Sequence, residues 1–134
     1  MAIEIKTGII PDKKALLDLY NDASWTAYTD EPDLLIEAIK NSLKVWTLWD
    51  GEKLIGLART IGDGAKISYL QDILILKAYQ GQGLGSRVLS QILDENKNIR
   101  QFVLLTDNSE VTKNFYKKLG LVPVGEFDCL AFMK

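Results

Sequence analysis

The chain has 134 residues, 47% of them hydrophobic and 25% charged, which is the composition of one ordinary globular domain over residues 1–134. Its 16 basic and 18 acidic residues leave a formal net charge of −2, so the composition does not indicate a nucleic-acid partner. The absence of histidine excludes a histidine base, and a single cysteine, Cys129, excludes an internal disulfide and argues against a bound metal ion.

The first forty residues predict one strand and two helices. Apolar and polar residues alternate over residues 2–6, as in a half-buried strand. Pro11 suits the first turn of a helix with one apolar face, and Pro32 opens a second helix of the same kind. The aromatic segment between them, residues 24–28, is predicted to be a loop.

Three strands are predicted next, over residues 45–49, 54–61 and 67–76, because these segments are rich in β-branched, aromatic and other apolar residues. The dipeptide Asp50-Gly51 between the first two is a typical hairpin turn. The pattern therefore predicts a β-meander.

The most specific stretch of the sequence is the turn after the third of these strands. Residues 80–85 read Gln-Gly-Gln-Gly-Leu-Gly, and apolar residues at helical spacing predict a helix over residues 84–96. The first N–H groups of a helix lack intrahelical partners and carry partial positive charge, so a phosphate can bind there, and glycines permit its close approach. The sequence predicts a phosphate-binding turn, with a merely tight strand-to-helix connection as the alternative.

The last third of the chain predicts a buried strand over residues 102–105, parallel to the strand before the glycine turn, and a helix from Asp107 to Gly120. The inward-facing residues of this helix are predicted to be Val111, Phe115 and Leu119. A final strand is predicted over residues 127–133. The predicted element order is β-α-α-β-β-β-α-β-α-β-β.

Two motifs carry a resemblance to a known family. Residues 80–85 form Gln-x-x-Gly-x-Gly, which resembles the acetyl-CoA pyrophosphate signature of the GCN5-related N-acetyltransferase (GNAT) family. Residues 114–121 resemble the family segment FYxKLGF, with Leu121 where phenylalanine is more usual. Together with the element order, the resemblance implies an α/β (α+β) fold with one mixed sheet of about seven strands and helices on both faces.

The resemblance also implies where acetyl-CoA binds. Backbone groups of the glycine turn would hold its pyrophosphate, and the main chain of residues 73–75 would pair with the pantetheine arm where two strands splay apart. The implied cofactor-binding residues are Ile73, Leu74, Ile75, Gln80, Gly81, Gln82, Gly83, Leu84, Gly85, Ser86 and Asn108.

Acetyl transfer needs an acid for the leaving thiolate and a base for the amine. Tyr116 is the candidate acid, because the core-facing residues of its helix leave it aimed at the groove alongside; the alternative is a tyrosine packed at the core edge. Asp72 is the candidate base, because a charge that opens an apolar strand needs a partner or a cavity; the alternative is an ion pair with Arg59. Trp25, Tyr28 and Trp46 could line an acceptor pocket, although aromatic residues are more often in the core.

The sequence therefore predicts an acetyl-CoA-dependent N-acetyltransferase that works by direct attack of a primary amine, carried by a small molecule or by a protein. The alternative is a non-catalytic CoA- or acyl-CoA-binding module of the same fold. Acidic residues of the first two helices and the segment between them indicate a cationic acceptor; the alternative is a solvated acidic helix surface. These residues are Asp18, Asp22, Asp30, Glu31, Asp33 and Glu37.

A homodimer through the C-terminal strands is conceivable by analogy, and no metal, nucleic-acid or membrane partner is expected. The lone cysteine suits a reducing compartment, and no segment approaches the ~20 apolar residues of a membrane span. A cytoplasmic protein is therefore predicted.

Overall fold

A computed structural model describes residues 2–134 as one five-stranded sheet with helices on both faces. The strands are β1 (Ile3–Thr7), β2 (Lys44–Asp50), β3 (Lys53–Gly62), β4 (Ile67–Ile75) and β5 (Gln101–Leu104). The helices are α1 (Lys13–Asp22), α2 (Thr26–Thr29), α3 (Pro32–Lys40), α4 (Leu84–Glu95) and α5 (Glu110–Lys118), with 3-10 turns at Lys77–Tyr79 and Val124–Phe127. Within the described residues, no helix is long and apolar enough to cross a membrane.

The sheet has the order β1-β2-β3-β4-β5, in which β1 to β4 are antiparallel neighbours and β5 lies parallel to β4. Helices α1 and α3 pack on one face, where Leu16 and Ile39 are buried. Helix α4 packs on the other face through Val88 and Ile92, and Phe115 of α5 joins it there. The apolar stripes of the helices are therefore the surfaces that meet the sheet.

A β-bulge at Gln71 decides which way the residues of β4 point. Arg59 lies opposite Asp72, but the next residue of β3 lies opposite Leu70, so Gln71 is an extra residue on β4. As a result Leu70 packs on the α4 face of the sheet, whereas Leu74 packs on the face of α1 and α3. The bulge thereby turns the side chain of Asp72 toward the helices of the N-terminal half.

Side-chain caps fix the start of two helices. Asp12 accepts the N–H of Ala15 at 2.8 Å before α1, and the hydroxyl of Ser109 accepts the N–H of Thr112 at 3.2 Å before α5. The cap of α5 is thus Ser109 and not Asp107, whose carboxylate accepts the Thr112 hydroxyl at 3.1 Å instead.

The structure corrects the prediction of about seven strands. The sheet has five strands within the described residues, and the strand predicted over residues 127–133 does not form. The chain makes the 3-10 turn at Val124–Phe127 and then continues as irregular structure. The apolar composition suits a strand, but a strand also needs a neighbour for its N–H and C=O groups, and no described strand lies beside this segment.

Two smaller predictions are also corrected. The aromatic segment over residues 24–28 is not entirely a loop, since Thr26–Thr29 forms the single turn α2. Val111 does not face the core: it is 81% exposed in the first turn of α5, where the helix borders a groove and not the sheet.

Candidate active site

A long groove opens where β4 and β5 separate. Residues 67–70 of β4 pair with residues 101–104 of β5, whereas residues 71–75 continue β4 without a described strand on that side. The groove has a volume of about 1160 Å³ and is lined by the segment around α2, the second half of β4, the glycine turn and α5. This volume is comparable to that of ligand sites, which are about 300–1,000 Å³.

The glycine turn forms one end of the groove and leads into α4. Gly81 and Gly83 have φ values of 81° and 78°, left-handed values that a residue with a side chain disfavours. Gly83 is the N-cap of α4, and no side chain caps the helix there. The N–H groups of residues 84–86 therefore have no intrahelical partner, whereas the N–H of Arg87 already bonds to the carbonyl of Gly83 at 3.0 Å.

Most of the predicted cofactor-binding residues line the groove. These are Ile73, Leu74, Ile75, Gln80, Gly81, Gly83, Leu84, Gly85 and Ser86. Gln82 and Asn108 are exposed and do not line it. The side-chain amide of Gln80 donates to the carbonyl of Ile75 at 3.0 Å, so this residue also ties the turn to the end of β4.

Helix α5 forms a wall of the groove beside the glycine turn. An added Cβ at Gly85 would lie 3.4 Å from the ring of Phe115, so this glycine allows α4 and α5 to pack closely. Tyr116 is half-buried, lines the groove and packs against Phe115 with ring centroids 5.0 Å apart. Burial raises the pKa of Tyr116 above its ordinary value of 10.0; the hydroxyl of Thr106 lowers it, and the charge of Asp107 raises it.

Aromatic residues form the other end of the groove. Trp25 and Tyr28, both predicted for an acceptor pocket, line it, and Tyr20 lies fully buried behind them. Trp46, predicted with them, does not line the groove, because it is fully buried in the core on the α4 face of the sheet. The ring centroid of Tyr20 is 5.9 Å from that of Trp25 and 5.2 Å from that of Tyr28, with edge-to-face geometry in both pairs. Such contacts favour one arrangement of the three rings, which fixes the position of Tyr28.

Asp72 lies beneath these rings and is held by three side chains. Arg59 Nε donates to its Oδ2 at 2.5 Å, and the hydroxyl of Tyr20 donates to the same oxygen at 2.9 Å. The hydroxyl of Tyr28 donates to Oδ1 at 3.0 Å. The ion pair with Arg59 that the sequence offers as an alternative is therefore formed. Because Asp72 is only 2% exposed, it can act on a ligand only through another group.

Asp72 stabilises the protonated forms of Arg59 and Tyr20 beside it. Burial lowers the pKa of Arg59, but the hydrogen bond and the charge of Asp72 outweigh this effect, so the net shift is upward. Burial and the charge of Asp72 raise the pKa of Tyr20 far above its ordinary value, so its hydroxyl remains a donor. Arg59 Nη1 also donates to Ser42 Oγ at 3.3 Å, which ties the pair to the end of α3.

The hydroxyl of Tyr28 is oriented by two partners. It donates its proton to Asp72 and accepts a hydrogen bond from the side-chain amide of Gln71 at 3.1 Å. A hydroxyl oxygen has two acceptor positions, so one remains for a donor that enters the groove. Gln71, the extra residue at the bulge, thus helps to orient the Tyr28 oxygen as a hydrogen-bond acceptor. This oxygen lies at the aromatic end of the groove, called here the acceptor end because the sequence predicts the amine there.

Sequence reasoning missed Tyr20 and Gln71 as parts of this site. The available signal for Tyr20 was its place on the apolar face of α1 beside Leu16 and Leu19, because a buried tyrosine hydroxyl needs a hydrogen-bond partner. No comparable signal marked Gln71, since its role depends on a bulge that the sequence does not reveal.

The acidic residues of α1, α3 and the segment between them do not line the groove. Two of them form surface ion pairs, Asp18 with Lys14 at 2.8 Å and Asp33 with Lys13 at 3.0 Å. These carboxylates therefore do not form the acceptor end of the site. Among the described residues, no group of three or more Cys, Asp or Glu side chains is placed to hold a metal ion.

Comparisons with known proteins agree with this geometry. Residues 41–122 match the family model of the acetyltransferase (GNAT) domain. The solved structure of a GNAT family acetyltransferase from Streptococcus pneumoniae TIGR4 is 30% identical and has a TM-score of 0.88, over 99% of this chain and 97% of that chain. An aminoglycoside N-acetyltransferase solved in complex with CoA has a TM-score of 0.73 over 99% of this chain and 94% of that chain; at 14% identity, it shares the fold.

Curated relatives match over a shorter span. The chloroplastic GCN5-related N-acetyltransferase 2 from Arabidopsis thaliana is 33% identical over 108 residues, which cover 64% of this chain and 41% of that protein. The chain spans from 38% to 51% of the length of the curated relatives described by these comparisons. The family model nevertheless covers more than half of the chain, and the Streptococcus pneumoniae structure matches almost all of it. The chain therefore belongs to the GNAT family of acetyltransferases.

Proposed function

We propose that the chain is an acetyl-CoA-dependent N-acetyltransferase that transfers an acetyl group to a primary amine by direct attack. The observation that carries the proposal is one groove with two chemically different ends. An uncapped helix N-terminus and an unpaired strand edge lie at one end, and an oriented aromatic hydroxyl lies at the other. The phenol of Tyr116 borders the same groove.

The residues at the glycine turn fit the phosphate groups of a CoA thioester. The N–H groups of residues 84–86 and the positive end of the α4 dipole would hold the pyrophosphate. A Cβ at Gly81 or Gly83 would meet no protein atom within 4 Å, so the space beside the turn is open to a ligand. The free edge at residues 71–75 offers N–H and C=O groups to the amides of the pantetheine arm, as an added strand would.

Tyr116 is assigned as the acid. When bound, acetyl-CoA supplies the acetyl group as a thioester. Tyr116 holds a proton on its phenol oxygen at neutral pH, because burial raises its pKa above the ordinary value of 10.0. It can therefore give that proton to the sulfur as the carbon–sulfur bond breaks.

Tyr28 and Asp72 are assigned to the acceptor amine. The free acceptor position of the Tyr28 oxygen takes a hydrogen bond from the amine nitrogen, which orients the amine for attack. The amine proton passes to the Tyr28 oxygen while the Tyr28 proton moves to Asp72 Oδ1, 3.0 Å away. Asp72 thus acts through Tyr28, in agreement with its burial.

A non-catalytic CoA- or acyl-CoA-binding module is the second candidate. The observation in its favour is that Asp72 already has three hydrogen-bond donors, one of them the guanidinium of Arg59. A carboxylate engaged in this way is suited to holding the acceptor end of the groove together. The cofactor end of the groove is the same under both candidates.

The test combines binding with turnover. Calorimetry would measure the Kd of acetyl-CoA, and CoA release would be measured with a panel of small amines and lysine-containing peptides. The enzyme proposal predicts amine-dependent CoA release that the Tyr116→Phe variant largely loses while its Kd is kept. Binding without amine-dependent release would assign the binding module, and absence of binding would contradict both candidates.

A further inference from the structure

Gln71 is an exposed glutamine on the wall of the groove, and only half of its amide is bound. The side-chain nitrogen, Nε2, donates to the hydroxyl of Tyr28 at 3.1 Å. Among the described residues, no group donates to the side-chain carbonyl oxygen, Oε1. An amide oxygen is a hydrogen-bond acceptor with two lone pairs, so Gln71 keeps a free acceptor beside Tyr28.

The β-bulge brings Gln71 and its neighbour Asp72 to the same point. Consecutive residues of a regular strand point to opposite faces of the sheet. The side chains of Gln71 and Asp72 nevertheless contact one hydroxyl, that of Tyr28, at 3.1 Å and 3.0 Å, because the bulge interrupts the alternation here. The bulge therefore places two neighbouring polar side chains at the acceptor end of the groove.

The single proton of Tyr28 fixes the orientation of the Gln71 amide. Tyr28 donates this proton to Asp72, a carboxylate that also accepts from Arg59. The Tyr28 oxygen can therefore only accept a hydrogen bond from Gln71, and only the nitrogen end of an amide can donate one. The carbonyl end of Gln71 is thus the end that remains for a ligand in the groove.

We propose that Gln71 Oε1 is a second hydrogen-bond acceptor for the substrate amine and that it makes the site selective for primary over secondary amines. The inference rests on the function proposed above and names the feature of the amine that the site recognises. Tyr28 accepts one N–H of a primary amine, and Gln71 accepts the other. The lone pair of the nitrogen is then free to attack the thioester carbon.

The two acceptor atoms have the spacing that one nitrogen requires. The oxygen and nitrogen of an amide are about 2.3 Å apart, so the 3.1 Å contact of Gln71 Nε2 places Oε1 about 4–5 Å from the Tyr28 oxygen. A tetrahedral nitrogen that donates two hydrogen bonds of about 2.9 Å spans roughly 4.7 Å between its acceptors. A primary amine can therefore bridge the two residues. A secondary amine has one N–H and leaves one of the two acceptors without a donor.

The same contacts account for both protons of the amine during transfer. As the nitrogen bonds to the acetyl carbon and the carbon–sulfur bond breaks, one proton passes to the Tyr28 oxygen and the Tyr28 proton moves to Asp72. The sulfur leaves with the proton of Tyr116. The second proton stays on nitrogen as the N–H of the product amide, where Gln71 still accepts it. Exchange with water then restores Tyr116 and Asp72.

The test compares the best primary amine of the panel with its N-methyl derivative, by CoA release, in the full-length protein. The ratio of the two kcat/KM values is compared between enzymes, because the different reactivities of the two amines then cancel. Gln71→Met keeps the length of the side chain and removes its polar groups, so the preference for the primary amine should fall about tenfold. Gln71→Glu keeps an acceptor oxygen and should retain the preference within about threefold. The control is Gln101→Met, an exposed glutamine of β5 outside the groove, which should leave the ratio unchanged.

The outcomes separate this inference from the proposed function. A wild type that releases no CoA with any amine would overturn both. Equal losses for the two amines in Gln71→Met would overturn the inference alone, because Gln71 would then act only by orienting Tyr28. A wild type without preference, or a preference lost equally in Gln71→Met and Gln71→Glu, would also overturn the inference, since the acceptor oxygen would not be the selective feature.

Discussion

The two ends of the groove are built in different ways. The end proposed for the cofactor uses the backbone of residues 80–86, which are contiguous in sequence. The end proposed for the acceptor amine uses the side chains of Tyr20, Tyr28, Arg59 and Asp72, which come from α1, α2, β3 and β4. A backbone site needs particular conformations and little bulk, whereas a side-chain network needs each partner to complete the others.

This difference predicts how each end responds to mutation. A change at the cofactor end should alter ligand affinity and leave the fold almost unaffected, except where a glycine conformation is lost. A change in the acceptor network should alter stability as well, because it leaves a buried charge or donor without its partner. The variants below separate the two responses.

The largest effect is expected for Asp72→Asn, which leaves the guanidinium of Arg59 buried without its counter-charge. Arg59 and Asp72 are 5% and 2% exposed in this pair, so the free energy of unfolding should fall by about 3–5 kcal/mol. Urea denaturation would measure it. The control is Asp33→Asn at the exposed pair with Lys13, where a loss below about 1 kcal/mol is expected. Equal losses at the two sites would show that the acceptor end does not depend on its buried ion pair.

Tyr116→Phe tests the hydroxyl of Tyr116 separately from its ring, because the variant removes the hydroxyl and keeps the ring that packs on Phe115. An interaction made only as the thiolate leaves should affect kcat and not binding, so kcat should fall about 100-fold, or about 2.7 kcal/mol. The Kd of acetyl-CoA should stay within about threefold. Since the pKa of Tyr116 is raised above 10.0, a loss of kcat caused by its ionisation should have its midpoint above pH 10. A raised Kd with unchanged kcat would make Tyr116 a packing residue.

Gly83→Ala tests whether backbone N–H groups at the glycine turn bind the cofactor. The added methyl meets no protein atom, but it stands beside the N–H groups proposed to hold the pyrophosphate, so the Kd of acetyl-CoA should rise about tenfold, or about 1.4 kcal/mol. Gly120→Ala is the matched control, because Gly120 also has positive φ and open space but does not line the groove. Both variants should lose similar stability, and only the first should lose affinity. Equal affinities in calorimetry would contradict the assignment.

The smallest effect is expected for Tyr28→Phe, which removes the proposed contact with the acceptor. The lost hydrogen bond contributes about 1 kcal/mol, so the KM for the amine should rise about fivefold. The Kd of acetyl-CoA should not change, because the variant lies at the other end of the groove. If the base works through Tyr28, kcat should fall as well and its pH profile should change. Unaltered steady-state kinetics would show that the acceptor binds elsewhere.

The sequence predicted the conformation of the glycine turn better than the side-chain network around Asp72, and the reason is physical. Residues 80–85 are consecutive, and their glycines directly encode positive φ and the absence of Cβ atoms. The contact between Tyr20 and Asp72 spans 52 positions and depends on the bulge at Gln71, which no local pattern specifies. Sequence analysis could therefore name Asp72 and its alternative partner, but it could not assemble the network.

The C-terminal segment shows the same limit for the fold. The four N-terminal strands, β5 and the long helices follow local periodicity closely, and they were predicted with small boundary shifts. Residues 127–133 have strand composition, yet strand formation depends on a neighbour that no local pattern can supply. The prediction of about seven strands was wrong for this chain for that reason.

The central claim is that backbone groups of the glycine turn and of β4 hold the cofactor. Amide NMR signals followed during titration of the wild-type protein with CoA test it most directly. The largest shifts are expected at residues 81–86 and 73–75, with small shifts in α1 and α3. CoA binding that leaves these amides unchanged and shifts signals elsewhere would contradict the backbone assignment.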